Sequence, residues 1–237
     1  MNEKYYYLAI NIGSFIIPFI ASFYPKANFS RKWKFIIPAI LITAFIFIVW
    51  DELFTRMGVW GFNERYLTGI FIFNLPLEEI LFFICIPYSS IFIYFSLNHL
   101  IERDYFFSYH QVISNVLIII LLLIGVYYLK HLYTSVTFIL TSLFLAFLNL
   151  KVKPEYMGRF YFAYLFVLIP FFIVNGILTG SFIDEPIVWY NNEENLNIRL
   201  GTIPVEDAFY GLLLILNSIV IAEMLETKYG RKNEEVN

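Results

Sequence analysis

Two short stretches set neighbouring carboxyls at the start of an apolar run. Residues 74 to 81 read NLPLEEIL, with Glu78 and Glu79 side by side after Pro76, and the apolar segment continues almost unbroken to Leu97. Residues 202 to 209 read TIPVEDAF, with Pro204, Glu206 and Asp207 in the same order. Apolar surroundings disfavour the charged form of a carboxyl, and two neighbours divide so that one holds a proton while the other can accept one. Helical spacing of three and four residues sets Leu81 and Phe82 beside Glu78, and Phe209 and Tyr210 beside Glu206. Aromatic faces stabilise a nearby cation by ~0.5–2 kcal/mol per contact. The chemistry such groups suit is protonation of an electron-rich apolar substrate, passage through a carbocation, and loss of a proton elsewhere. A polyene entering sideways from lipid meets that description.

Each motif taken singly is also an ordinary helix start, with proline in the first turn, Asn74 as a cap, and acidic residues near the positive end of the helix dipole. Four ionisable residues at the edge of a membrane core are harder to account for this way. Each costs a few kcal/mol unless it faces a cavity or a partner.

The elements that position these groups are membrane spans. Of 237 residues, 59% are hydrophobic and 15% charged, against about 25% charged in a soluble domain. Apolar runs near 4–22, 33–50, 76–98, 112–129, 132–150, 160–178 and 204–225 predict an all-α membrane protein with seven transmembrane helices and no leftover soluble domain. The first run is longer than a signal-peptide core and lacks a small-x-small cleavage site, so it is expected to be retained. Lys4, Arg56, Arg65, Lys130 and Arg199 fall on one side. The other side holds Lys26, Arg31, Lys32, Lys34, Arg103, Lys151, Lys153, Arg159, Lys228, Arg231 and Lys232. The richer side is expected to be cytoplasmic, leaving the N-terminus outside and the C-terminus inside a multi-pass protein of the cell membrane.

A net charge of −3 offers no basic surface for nucleic acid. Cys85 is the only cysteine, so neither a disulfide framework nor a thiolate cluster is available. His99, Glu102, Asp104 and His110 lie in or beside a polar connection where charged residues are expected anyway, His131 lies in a tight hairpin, and no metal site is predicted. Tyr5 to Tyr7, Trp50, Trp60 and Trp189 read as interfacial anchors.

Shifting the chain by 128 residues lays spans one to three on spans five to seven. Asn63 then falls on Asn191, Pro76 on Pro204, Glu78 on Glu206 and Glu79 on Asp207. The expected organisation is a first repeat over 1–111, a linking transmembrane helix over 112–131 and a second repeat over 132–237. A three-helix unit leaves the chain on the opposite face, so the fourth helix returns it and makes the two repeats parallel, related by a pseudo-twofold axis along the membrane normal.

FNLPLEEILFF (73–83), IPVEDAFYGLLLILN (203–217) and WGFNERY (60–66) resemble the integral-membrane lycopene cyclases, in the form that fuses two related small membrane units. The resemblance covers nearly the whole chain. It implies a redox-neutral isomerisation of lycopene, by way of gamma-carotene, to a carotene with beta-ionone rings, with no cofactor; the chain has no Gly-x-Gly-x-x-Gly of the flavin-dependent cyclases. It implies catalytic roles for Glu78, Glu79, Glu206 and Asp207, with Glu78 and Glu206 as the acid/base pair and the other two as tuning or relay partners. Asn74, Pro76, Phe82, Phe83, Pro204, Phe209 and Tyr210 are the implied substrate-binding residues. Membrane lipid and other carotenoid-pathway enzymes are the expected neighbours. The alternative is a small proton-coupled transporter, which shares parallel repeats and membrane carboxylates. A retinal protein is disfavoured because residues 204–225 contain no lysine for a Schiff base.

Overall fold

Helical hydrogen bonding satisfies the backbone amides between a segment's two ends without water, which is why apolar sequence of this kind folds as it does. The computed structural model describes residues 2–25 and 29–230. Its helices are α1 (Tyr6–Ala21), α2 (Trp33–Arg56), α3 (Leu77–Leu100), α4 (His110–Tyr127), α5 (Leu132–Phe147), α6 (Met157–Leu178) and α7 (Val205–Gly230). Lys26, Arg231 and Lys232, counted above for orientation, lie outside the described residues.

Among the described residues, six helical segments are long and apolar enough to cross a membrane: Phe29–Arg56, Leu77–Leu100, His110–Tyr127, Leu132–Val152, Met157–Leu178 and Val205–Gly230. The protein is therefore a membrane protein. The seventh expected span, α1, has 16 residues. At 1.5 Å per residue it reaches about 24 Å, short of a ~30 Å hydrocarbon core. α5 attains spanning length only through a π-helical turn, Leu148–Val152, which stops at Lys153 in the left-handed conformation (φ 49°).

Short strands organise the two long connections. β1 (Trp60–Phe62) pairs antiparallel with β4 (Val188–Tyr190), with Gly61 opposite Trp189. β2 (Phe71–Ile72) and β3 (Leu75–Pro76) form a hairpin into α3, and β5 (Arg199–Leu200) and β6 (Ile203–Pro204) form another into α7. Both hairpins turn through a first loop residue of positive φ, Phe73 (57°) and Gly201 (70°). Each is tied to its helix by one amide: Leu77 donates to the Ile70 carbonyl at 2.8 Å, and Val205 to the Ile198 carbonyl at 3.0 Å. Pro76 closes β3 in extended conformation (φ −66°, ψ 150°), with a φ that its ring already imposes.

α1 packs on α3 and α5 on α7, while α2 packs on both α3 and α7, and α6 on the same two helices. α4 lies mainly along α5. The largest core, with Phe29, Ile36, Tyr88, Ile91, Phe160, Leu216 and Ile219, joins α2, α3, α6 and α7 towards the ends remote from the acidic motifs. The opposite ends, below the paired β1 and β4, contain the cavity described next.

Candidate active site

A cavity of about 330 Å³ lies among α1, α3, α6 and α7, with residues of α2, α5, β1 and β4 completing its wall. Three carboxyls line it: Asp51 from α2, Glu79 from α3 and Asp207 from α7. Glu79 and Asp207 hold the same place, the third residue of their helices. Each accepts from a tyrosine on the helix packed alongside. The Tyr7 hydroxyl of α1 donates to Glu79 Oε2 at 2.5 Å, and the Tyr133 hydroxyl of α5 donates to Asp207 Oδ1 at 2.5 Å. Asp207 gains a second donor, the Tyr190 hydroxyl of β4, on Oδ2 at 3.0 Å. Burial, and then the nearby Asp207, push the Tyr190 hydroxyl well above the ordinary tyrosine range, so it stays protonated as a donor.

Asp51 has no acidic counterpart 128 residues on, where Thr179 stands. The Trp60 indole N–H donates to its Oδ1 at 2.5 Å, while Oδ2 is buried without a partner. Around the carboxyls the wall is aromatic. Tyr210 packs with ring centroids 4.9 Å from Trp50, 5.2 Å from Phe47 and 6.3 Å from Tyr133, and its own hydroxyl is buried without a partner. A positive charge forming here would meet ring faces and carboxylate oxygens and little else.

Glu78 and Glu206 sit elsewhere. Both are fully buried, yet neither lines the cavity, because an α-helix turns about 100° per residue and points adjacent side chains apart. Glu78 Oε1 accepts the Thr68 amide at 2.7 Å, and Glu206 Oε1 accepts the Leu196 amide at 2.8 Å along with the Thr134 hydroxyl at 2.6 Å. Each pins the loop that precedes its hairpin. Asn11 adds a bond from its side-chain amide to the Glu78 carbonyl at 2.7 Å.

Of the other residues expected at the site, Phe82, Phe83 and Tyr210 line the cavity. Phe209 turns to Phe138, centroids 5.1 Å apart, and is not in the wall. Pro76 and Pro204 are buried in the hairpin strands. Asn74 sits at a hairpin tip, where its backbone and side-chain nitrogens both donate to Glu52. Tyr7 and Trp60, expected as interfacial anchors, are instead buried in the site.

Asp51, Tyr133 and Tyr190 were not foreseen from sequence. Asp51 did carry a signal, an ionisable residue directly following an apolar run. The tyrosines carried none, because their partners lie 74 and 17 residues away.

The lycopene cyclase family matches residues 4–97 and 130–225. The two segments include both acidic motifs and omit α4. No curated protein and no solved structure matches the chain. The match covers most of the chain, and the protein belongs to the lycopene cyclase family. Membership makes it an enzyme of carotenoid cyclisation, acting on a lipid-soluble carotenoid.

Proposed function

We propose that the protein is a lycopene beta-cyclase, an isomerase that closes beta-ionone rings on lycopene by acid/base catalysis within the membrane. The single observation that carries this reading is the convergence of Glu79, Asp207 and Asp51 on one apolar, aromatic-walled cavity. A proton adds at carbon 2 of the open end group and leaves a cation at carbon 1. The carbon 5–carbon 6 double bond attacks it, forming the carbon 1–carbon 6 bond and moving the charge to carbon 5. Loss of the carbon 6 proton restores the carbon 5–carbon 6 double bond. One proton enters and one leaves, so no electron carrier is consumed; the second end group repeats the sequence through gamma-carotene.

Glu79 and Asp207 are the acid/base pair in this reading, in place of the Glu78 and Glu206 favoured by sequence. Tyr7 holds one oxygen of Glu79 and orients the other as proton donor. Asp207, with a phenol on each oxygen, is equipped to act as a carboxylate facing the cation. Asp51, with one oxygen unpartnered, supplies a second negative group or the acceptor of the departing proton. Glu78 and Glu206 hold the loops that carry this machinery.

The same reading makes the chain two parallel three-helix repeats, α1–α3 and α5–α7, joined by α4. What supports it is the recurrence at an interval of 128 of both hairpins, both helix-tying amides and both glutamate-to-loop bonds. β1 and β4, centred on residues 61 and 189, pair with each other, as equivalent segments do about a twofold axis. We place it in the cell membrane with its N-terminus outside, on the lysine and arginine distribution, α1 crossing with the help of the 3₁₀ turn Glu3–Tyr5 that extends it by about 6 Å.

Expression in a lycopene-accumulating bacterium, followed by pigment extraction, is the test. The expected product carries beta rings. Unchanged lycopene in cells containing folded protein would overturn the assignment.

A further inference from the structure

The cavity reaches the outer surface on one side. Gly13 and Ile17 of α1 and Pro170 of α6 line it, yet all three are exposed, Ile17 by 72%. α1 and α6 touch only sparsely. The seam between them is edged by small or rigid residues, with Ser14 and Pro18 adjoining Gly13 in the same wall. Gly13 has no atom within 4 Å of where a Cβ would stand. This is a gap between helices at lipid depth.

The corresponding seam on the other half is closed. Tyr7 and Tyr133 do the same task at an interval of 126, which places Ile139 where Gly13 stands and Leu143 where Ile17 stands. Ile139 packs into α4: a Cβ added at Gly125 would fall 2.8 Å from Ile139 Cγ1. Phe47 and Trp50 of α2 and Phe144 of α5 fill the space beside Phe83 and Leu213. From α5 only Tyr133 reaches the cavity. Two similar halves thus enclose one cavity with one lateral mouth, because the seam equivalent to α1–α6 lies between α5 and α2 and is filled by the rings of Phe47, Trp50 and Phe144.

We infer that the substrate enters through a single lateral mouth between α1 and α6, one end group at a time. The inference rests on the cyclase reading above and assigns the route to that site. A cavity of about 330 Å³ is at the small end of the ~300–1,000 Å³ range of ligand pockets. It holds a ring-forming end and leaves the rest of a long linear polyene lying in lipid. The monocyclic product must therefore back out into the bilayer and present its other end to the same three carboxyls.

The test uses the full chain in lipid nanodiscs loaded with lycopene, comparing initial rates and unfolding midpoints. Gly13→Phe and Ile17→Trp are expected to lower the rate tenfold or more while leaving the midpoint at or above that of the wild type, since neither adds to a packed surface and Gly13→Phe removes a helical glycine. Leu143→Trp, on the exposed face of α5, is expected to stay within twofold of the wild-type rate. In a mixed-substrate experiment, labelled monocyclic carotene is expected to accumulate and to convert more slowly when unlabelled lycopene is added. Wild-type rates in both α1 variants, or an equal loss in Leu143→Trp, would overturn the portal while the cyclase reading stood. Conversion of labelled lycopene to bicyclic product with no monocyclic carotene, whatever the competitor, would overturn the one-end-at-a-time step. An inert wild type would sink the cyclase reading and the inference with it.

Discussion

Exchanging Glu for Gln at positions 78 and 79 separates two roles that the sequence presents as neighbours. Glu79→Gln keeps the side-chain length and an oxygen for the Tyr7 hydroxyl to meet, but it removes the exchangeable carboxyl proton beside the substrate. Loss of a positioned general acid lowers a rate by about 10²–10⁴-fold. The bond that persists keeps the stability change to about 1 kcal/mol. Glu78→Gln retains the acceptor for the Thr68 amide. Its new amide nitrogen occupies the place of Oε2, which is buried with no partner. An unsatisfied buried donor costs about 1–3 kcal/mol. Glu78→Gln should thus be the less stable variant, with activity per folded molecule within a few-fold of wild type, and Glu79→Gln the stable but inactive one. Initial rates of lycopene loss, normalised to monodisperse protein from size-exclusion chromatography, and unfolding midpoints in the same detergent would measure both. A Glu78→Gln variant inactive at full stability, beside an active Glu79→Gln, would refute the assignment and restore Glu78 as the acid.

The second motif should follow the first, with Asp207→Asn losing about 10²-fold or more in rate and Glu206→Gln acting mainly on the thermal midpoint. Trp60→Phe strips Asp51 Oδ1 of the indole donor seen at 2.5 Å and, with Oδ2 already unpartnered, leaves both carboxyl oxygens without a partner; a stability loss of about 1–3 kcal/mol is expected, read from thermal melts, and a melt identical to wild type would remove the indole from the site's support. Gly61→Ala would set a Cβ 2.3 Å from Trp189 Cζ2. The ring must swing off the β1–β4 pair, and the lowered midpoint should be recovered in Gly61→Ala/Trp189→Ala; no recovery would place the strain elsewhere. Gly201→Ala meets nothing within 4 Å but must keep φ +70°, so a loss of about 1 kcal/mol is expected from backbone strain alone, and an unchanged midpoint would contradict the left-handed turn.

What the sequence determined was local or periodic. Apolar runs dictated helices because intrahelical bonding satisfies amides in lipid, and the positions of α2 to α7 follow those runs to within six residues at either end. The Pro-x-Glu-acid motif and its copy 128 residues later located the two helix starts that bring a carboxyl to the cavity. α1 came out shorter than its apolar run because length in a helix depends on where the backbone stops being helical, and composition does not mark that point. Only the tertiary structure decided which carboxyl of each pair faces the cavity. Adjacent residues on a helix diverge by about 100°, so Glu78 and Glu79 could have exchanged places until α1 and the Thr68 loop packed against α3. The same packing brought Tyr7, Tyr133 and Tyr190 to their carboxyls and drew Asp51 from the end of α2 into the wall, with Phe47, Trp50 and Phe144 filling the space between α2 and α5. These contacts join residues far apart in the chain, and no spacing rule along a single element encodes them.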